Sequence, residues 1–140
     1  MIERVLLDTG PLVALLDRRD TYHGWAKQQM AHVRPPVLTC EAVIAEAFHL
    51  LRGLGAARHA ILDLLRQNLL VVLFRLDEHL DRIEALLRRY ADVPMSLADA
   101  CLVRMSETLS TVRVLTLDGD FRIYRRHGRQ KIPVMLPPDR

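Results

Sequence analysis

Two short apolar runs, each closed by an aspartate, set the strongest limit on how this chain folds. Val5-Leu6-Leu7 ends at Asp8, and Val114-Leu115-Thr116-Leu117 ends at Asp118. Apolar runs without polar alternation belong to strands buried on both faces. Between the two, the pattern switches repeatedly to helical spacing. A strand over Arg4–Leu7 leads into a helix over 10–18, with Pro11 near its start, and a second helix over about 21–32 that Pro35-Pro36 breaks. A strand at Val37–Thr39 precedes a strongly apolar helix over 41–52, which stops at Gly53. Helix is expected over 56–68, strand over 69–74, helix over 77–90, a turn at Asp92-Val93-Pro94 and helix over 96–109. Residues 112–117 form the strand richest in β-branched residues; a short helix near 121–127 and an edge strand over 132–135 complete the pattern. Strands alternating with helices predict an α/β domain with a parallel sheet covered on both faces. Ligands gather at the carboxyl ends of such strands, so the residues that follow each strand are the candidates for function.

Composition narrows the class. The 140 residues, 50% hydrophobic and 26% charged, suit one globular domain over 1–140 and exclude a disordered tail or a solenoid. No apolar run approaches the ~18–20 residues of a membrane span. Residues 1–8 hold two acids and one arginine, unlike a secretory signal. Cys40 and Cys101 lack CxxC spacing and read as free thiols of a reducing compartment, hence a cytoplasmic protein. The net charge is 20 − 17 = +3. Only Lys27 and Lys131 are lysines, and an arginine-rich cation set suits phosphate partners, although codon bias produces the same skew.

Four acids sit where a core or a strand end is expected. Asp8 and Asp118 follow strands, although turn and N-cap aspartates do the same. On a helical wheel at about 100° per residue, Ala42, Val43 and Leu50 fall within about 60° of Glu46, while Glu41 and Arg52 mark the opposite side. Glu46 is therefore expected on the apolar face, where a carboxylate needs a salt bridge or a metal. Asp99 completes a Ser96-Leu97-Ala98-Asp99 capping box, and shares its face with Leu102 and Val103. Gathered in one domain, four such carboxylates repel one another unless a divalent cation joins them. All-oxygen ligands suit Mg²⁺ or Mn²⁺ rather than Zn²⁺. Glu46-Ala47-Phe48-His49 is an ExxH unit of the kind used in di-iron bundles, but no second unit exists, and His49 is expected in the core or supporting the site.

The run Leu7-Asp8-Thr9-Gly10-Pro11-Leu12-Val13-Ala14, then Thr39 and Glu46 with six residues between them, then Ser96-Leu97-Ala98-Asp99-Ala100, then Leu115-Thr116-Leu117-Asp118-Gly119-Asp120-Phe121 resembles the PIN domains in order and spacing. Many bacterial PIN domains are VapC-type toxins, the ribonuclease halves of toxin–antitoxin pairs. The resemblance covers nearly the whole chain. It implies a three-layer α/β/α sandwich around about five parallel strands, a Mg²⁺- or Mn²⁺-dependent endoribonuclease, a homodimer and a small antitoxin partner. The implied acidic site is Asp8, Glu46, Asp99 and Asp118, with Asp120 as the alternative fourth acid. Thr9 and Thr116 are placed to hydrogen-bond the metal-bound water or its ligands, or simply to cap and turn the chain. Arg122, Arg125, Arg126, Arg129 and Lys131 would hold the RNA backbone, or form an ordinary solvated basic helix. Trp25, with Tyr22 and His23, either stacks a base or joins the core. An antitoxin tail would cover residues 10–30 and 41–66, over Leu12, Leu15, Leu16 and Leu51, and set an arginine among the acids.

Three other readings remain at this point. A PIN-like module could bind RNA or a partner without cleaving, but all four acids are present. A stand-alone housekeeping nuclease would share every motif. A haloacid dehalogenase-type phosphatase also places an aspartate after its first strand, but it needs a second aspartate where Gly10 stands, and a lysine ahead of the last acids.

Overall fold

The computed structural model of the protein describes residues 3–140. Its centre is β1 (Arg4–Leu7), where Val5, Leu6 and Leu7 are all buried. A strand with no wet face must be covered on both sides, and the rest of the chain does this. From β1 the chain forms α1 (Thr9–Leu16) and α2 (His23–His32), then returns as β2 (Val37–Thr39) beside β1. It continues through α3 (Glu41–Leu50) and α4 (Gly55–Arg66) to β3 (Leu70–Val72), which pairs with β2. After α5 (Leu80–Arg89) and α6 (Leu97–Thr108), β4 (Val112–Leu115) lands on the other side of β1, with Leu6 opposite Val114 and Leu7 opposite Leu115. A hairpin of β5 (Arg125–Arg126) and β6 (Gln130–Lys131) precedes β7 (Val134–Met135), the outer neighbour of β4.

The sheet order is therefore β3-β2-β1-β4-β7, all parallel. Among the described residues six helices flank it, giving the expected α/β/α sandwich. Successive strands step outward from β1 on one side and then restart on the other. The reversal opens a crevice between the carboxyl ends of β1 and β4, the place where such sheets bind ligands. The fully buried side chains around this frame include Leu6, Leu12, Leu51, Ile61, Leu86 and Leu102. Each contributes roughly 1.5–3 kcal/mol by leaving water.

Several expected elements differ in detail. The second helix starts at His23, because Asp20 accepts a hydrogen bond from the Tyr22 N–H at 2.8 Å and turns the chain first. The helix expected over 77–90 is broken. A single 3-10 turn, Leu76–Glu78, is separated from α5 by His79, whose ring stacks on Phe74 at 4.7 Å and accepts from Arg104 Nε at 3.0 Å. The short helix near 121–127 does not form. A 3-10 turn at Gly119–Arg122 gives way to the β5–β6 hairpin, whose turn holds His127 at φ 52° and Gly128 at φ 81°, values no right-handed helix contains. Among the described residues, no helix is long and apolar enough to cross a membrane.

Candidate active site

Asp8 is the first residue beyond β1 and the N-cap of α1, so strand and helix geometry together aim it into the crevice. Its Oδ1 accepts from the Thr9 N–H at 2.8 Å, and its Oδ2 from Thr116 Oγ1 at 2.6 Å. Thr116 follows β4 and is completely buried. The same hydroxyl accepts from the Asp118 N–H at 2.9 Å, so one side chain ties together the acids that end two neighbouring strands. Thr9 makes a second link, donating from Oγ1 to Glu46 Oε2 at 2.9 Å. Both threonines thus hydrogen-bond the acids.

Asp99 enters from α6. The capping box forms as read: the Asp99 N–H donates to Ser96 Oγ, and the Ser96 N–H donates to Asp99 Oδ2, each at 3.0 Å. Capping does not exhaust this carboxylate. It is buried, and Tyr124 OH approaches Oδ2 at 3.4 Å. No motif marked Tyr124; its only sequence signal is an aromatic ring shortly after the fourth acid. Gly10 fits a close approach, since a Cβ there would lie 3.1 Å from the Leu117 side chain.

Asp8, Glu46, Asp99 and Asp118 line one open cleft of about 420 Å³, together with Thr9, Gly10, Leu50, Ser96, Leu117 and Arg140. Asp120 does not line it. Its N–H donates to Asp118 Oδ1 at 2.9 Å, closing the turn that follows. Burial pushes the Asp8 carboxyl up to about 6, and the charges of Asp99 and Asp118 add to that. Asp99 is raised for the same reasons, burial first, with Asp118 and Glu46 as the like charges. These acids therefore sense one another across the cleft. They are spaced around it rather than clenched: among the described residues, no three His, Cys, Asp or Glu side chains are close enough to hold a metal ion as they stand. The donor set is nonetheless all oxygen, and its repulsion is the kind a hard divalent cation relieves.

Other expectations need correction. Glu46 does not sit on a buried face. Val43 and Ala47 take that face, while Glu46 is exposed on the cleft side beside Leu50, itself exposed. The wheel grouped Glu46 with apolar residues, but Leu50 is exposed and Ala42 only half-buried. His49 is likewise exposed, 3.3 Å from Arg52 Nη1. Arg126 is buried and donates to the carbonyls of Ser106 and Leu109, finishing α6 rather than facing solvent. Arg125 turns back onto the carbonyls of Arg122, Ile123 and Tyr124. Arg122, Arg129 and Lys131 are exposed, but none of them lines the cleft. Trp25 is half-buried and packs against the core. Leu12 and Leu51 are fully buried, leaving Leu15 and Leu16 half-buried and Leu50 exposed on the helices an antitoxin tail would cover. Cys40 and Cys101 are free and buried, in contact with each other.

Comparison with known families settles the assignment that the cleft suggests. The PIN domain model matches residues 5–126. The chain belongs to the PIN domain family. The match runs from β1 to β5 and takes in all four acids of the cleft, and it sets aside the phosphatase alternative. Among solved structures, this PIN domain is similar to Mycobacterium tuberculosis VapC20, described as a sarcin–ricin loop cleaving toxin. The two share 25% identity and superpose with a TM-score of 0.75, over 83% of this chain and 91% of VapC20. The resemblance to VapC-type PIN domains is thereby borne out. No curated protein matches the sequence.

Proposed function

We propose that the protein is a metal-dependent endoribonuclease and the toxin of a toxin–antitoxin pair. The observation that carries this reading is the convergence of Asp8, Glu46, Asp99 and Asp118 on one cleft at the β1/β4 crevice of a PIN fold. The likeness to VapC20, described as a sarcin–ricin loop cleaving toxin, supports both RNA as substrate and the toxin role.

The four carboxylates would hold Mg²⁺ or Mn²⁺, with Asp118 rather than Asp120 as the fourth acid. When bound, the cation polarises the scissile phosphate and makes the attacking water more acidic. The protein's own part is orientation. Thr116 fixes the Asp8 carboxylate, Thr9 fixes Glu46, and the Ser96 cap and Tyr124 fix Asp99. The hydroxyls lining the cleft are already engaged, Thr9 with Glu46 and Ser96 with the Asp99 N–H. Neither is poised as a nucleophile; the PIN-domain pattern implies attack by water with O3′ as the leaving oxygen, which would give 3′-hydroxyl and 5′-phosphate ends.

The physiological form is a homodimer held by a small antitoxin. Exposed leucines support self-association: Leu73, Leu76, Leu80 and Leu97 are solvent-facing, and three of them line a groove of about 760 Å³ with Phe74. The deciding test of the activity is cleavage of total transfer and ribosomal RNA with Mg²⁺ or Mn²⁺. Asp8→Asn and Asp99→Asn should each lose at least about a hundredfold in rate. Undiminished cleavage by both variants, or cleavage unaffected by chelator, overturns the reading.

A further inference from the structure

Arg140 is the one cationic residue lining the acid cleft among the described residues, and no motif points to it. Topology brings it there. Strand β7 is parallel to β4, so the chain leaving Met135 emerges at the same carboxyl end of the sheet as Asp8. The Thr116 N–H donates to Met135 O at 3.2 Å, tying that exit to the threonine between Asp8 and Asp118. Pro137 and Pro138 then restrict the backbone, and the Arg140 N–H closes a turn on Pro137 O at 3.1 Å.

Tyr22, the residue just before α2, fixes the arginine. Its hydroxyl donates to Asp139 Oδ2 at 2.9 Å and accepts from Arg140 Nε at 3.0 Å. The guanidinium carbon lies 5.1 Å from the centre of the tyrosine ring. These contacts occupy Nε and one face of the guanidinium. Its two Nη groups make no hydrogen bond or ion pair with any described residue, the four cleft acids included. An arginine that plugged the cleft would instead pair bidentately with those carboxylates.

We propose that Arg140, positioned by Tyr22, binds a backbone phosphate of the RNA at the mouth of the acid cleft. The inference rests on the ribonuclease reading above. A cleft lined by four carboxylates repels a polyanion, and a fixed guanidinium at its edge offsets that repulsion while matching two phosphate oxygens. Contacts of this kind place the strand without reading its sequence.

The test is fluorescence anisotropy with a short labelled single-stranded oligoribonucleotide, over a salt series, in the Asp8→Asn background so that the probe survives. Adding Arg140→Ala should weaken binding about five- to twentyfold at low salt. It should also flatten the slope of log K against log salt by about 0.7, the value for one lost phosphate contact to a single strand. Arg140→Lys should recover part of the affinity, and Tyr22→Phe should fall between wild type and Arg140→Ala. In the Asp8-containing protein, Arg140→Ala should raise KM more than it lowers kcat. Unchanged affinity and slope, or tighter binding after Arg140→Ala, overturns the proposal; tighter binding would mean that the arginine occupies the cleft itself. If the Asp8-containing protein cleaves RNA while Arg140→Ala binds normally, only this inference fails. If it cleaves nothing while Arg140→Ala still weakens binding, the nuclease reading fails and the phosphate contact stands.

Discussion

Thr116 and Asp8 lie 108 positions apart and meet through a 2.6 Å hydrogen bond at the carboxyl ends of adjacent strands. Thr116 donates to Asp8 and accepts from the Asp118 N–H, so it sets the separation of two acids at once. Thr116→Val removes both bonds. Under the proposed function, in which Asp8 would hold the cation, cleavage should fall about 10–100-fold. Thr116→Ser should retain most activity. The comparison is made on kcat/KM, with circular dichroism to show that both variants fold.

The raised carboxyl of Asp8 predicts an unusual pH response of the metal-free protein. A folded-state value near 6, against an ordinary 3.8, means the folded protein holds a proton that the unfolded chain has released. Stability from this group is therefore present below about pH 4 and is lost as pH rises through about 6. Above that, the buried carboxylate costs up to about 3 kcal/mol. In the presence of chelator, Asp8→Asn should melt at a higher temperature than wild type at pH 7.5, and the gap should narrow as pH falls through about 6 and close only near pH 4. A wild-type protein equally or more stable than Asp8→Asn at pH 7.5 would indicate that the acid is stabilised by its neighbours instead.

The cleft separates two acids that are only two residues apart. Asp118 lines it, while Asp120 lies outside and lends its N–H to the turn. Asp118→Asn should reduce cleavage at least about tenfold more than Asp120→Asn does. The reverse order in a single-turnover assay would move the fourth acid to position 120.

Arg126 distinguishes a structural arginine from an RNA-binding one. Its guanidinium satisfies the carbonyls of Ser106 and Leu109 at the end of α6, where orphan acceptors cost about 1–3 kcal/mol if left bare. Arg126→Ala should lower the melting temperature by about 3–10 °C. The salt slope of RNA binding should stay unchanged, in contrast to Arg140→Ala.

Self-association can be checked at Leu80, which is 58% exposed beside the groove formed by α3, α5 and α6. Leu80→Glu should convert a dimer to a monomer in sedimentation or light scattering, with the melting transition of the subunit retained. A wild-type protein that is monomeric at tens of micromolar would remove this surface from consideration.

Much of this protein is legible in its sequence, because the relevant signals are local. Strand ends at Asp8 and Asp118, and the cap at Ser96–Asp99, follow from short-range rules of patterning and hydrogen bonding, and the parallel sheet follows from their alternation. Other features depend on what one segment meets in another. Glu46 reads as buried on a wheel because the wheel cannot show that Leu50, on the same face, opens onto the cleft rather than the core. The basic segment after Phe121 reads as an RNA-facing helix, yet Arg126 is drawn inward by carbonyls left bare at the end of α6, and two left-handed residues fold the segment into a hairpin. Arg140 carries no motif at all. It reaches the acids only because β7 joins the sheet parallel to β4, and strand pairing is a choice made by the tertiary structure, since hydrogen bonds between distant segments leave no periodic mark in either one.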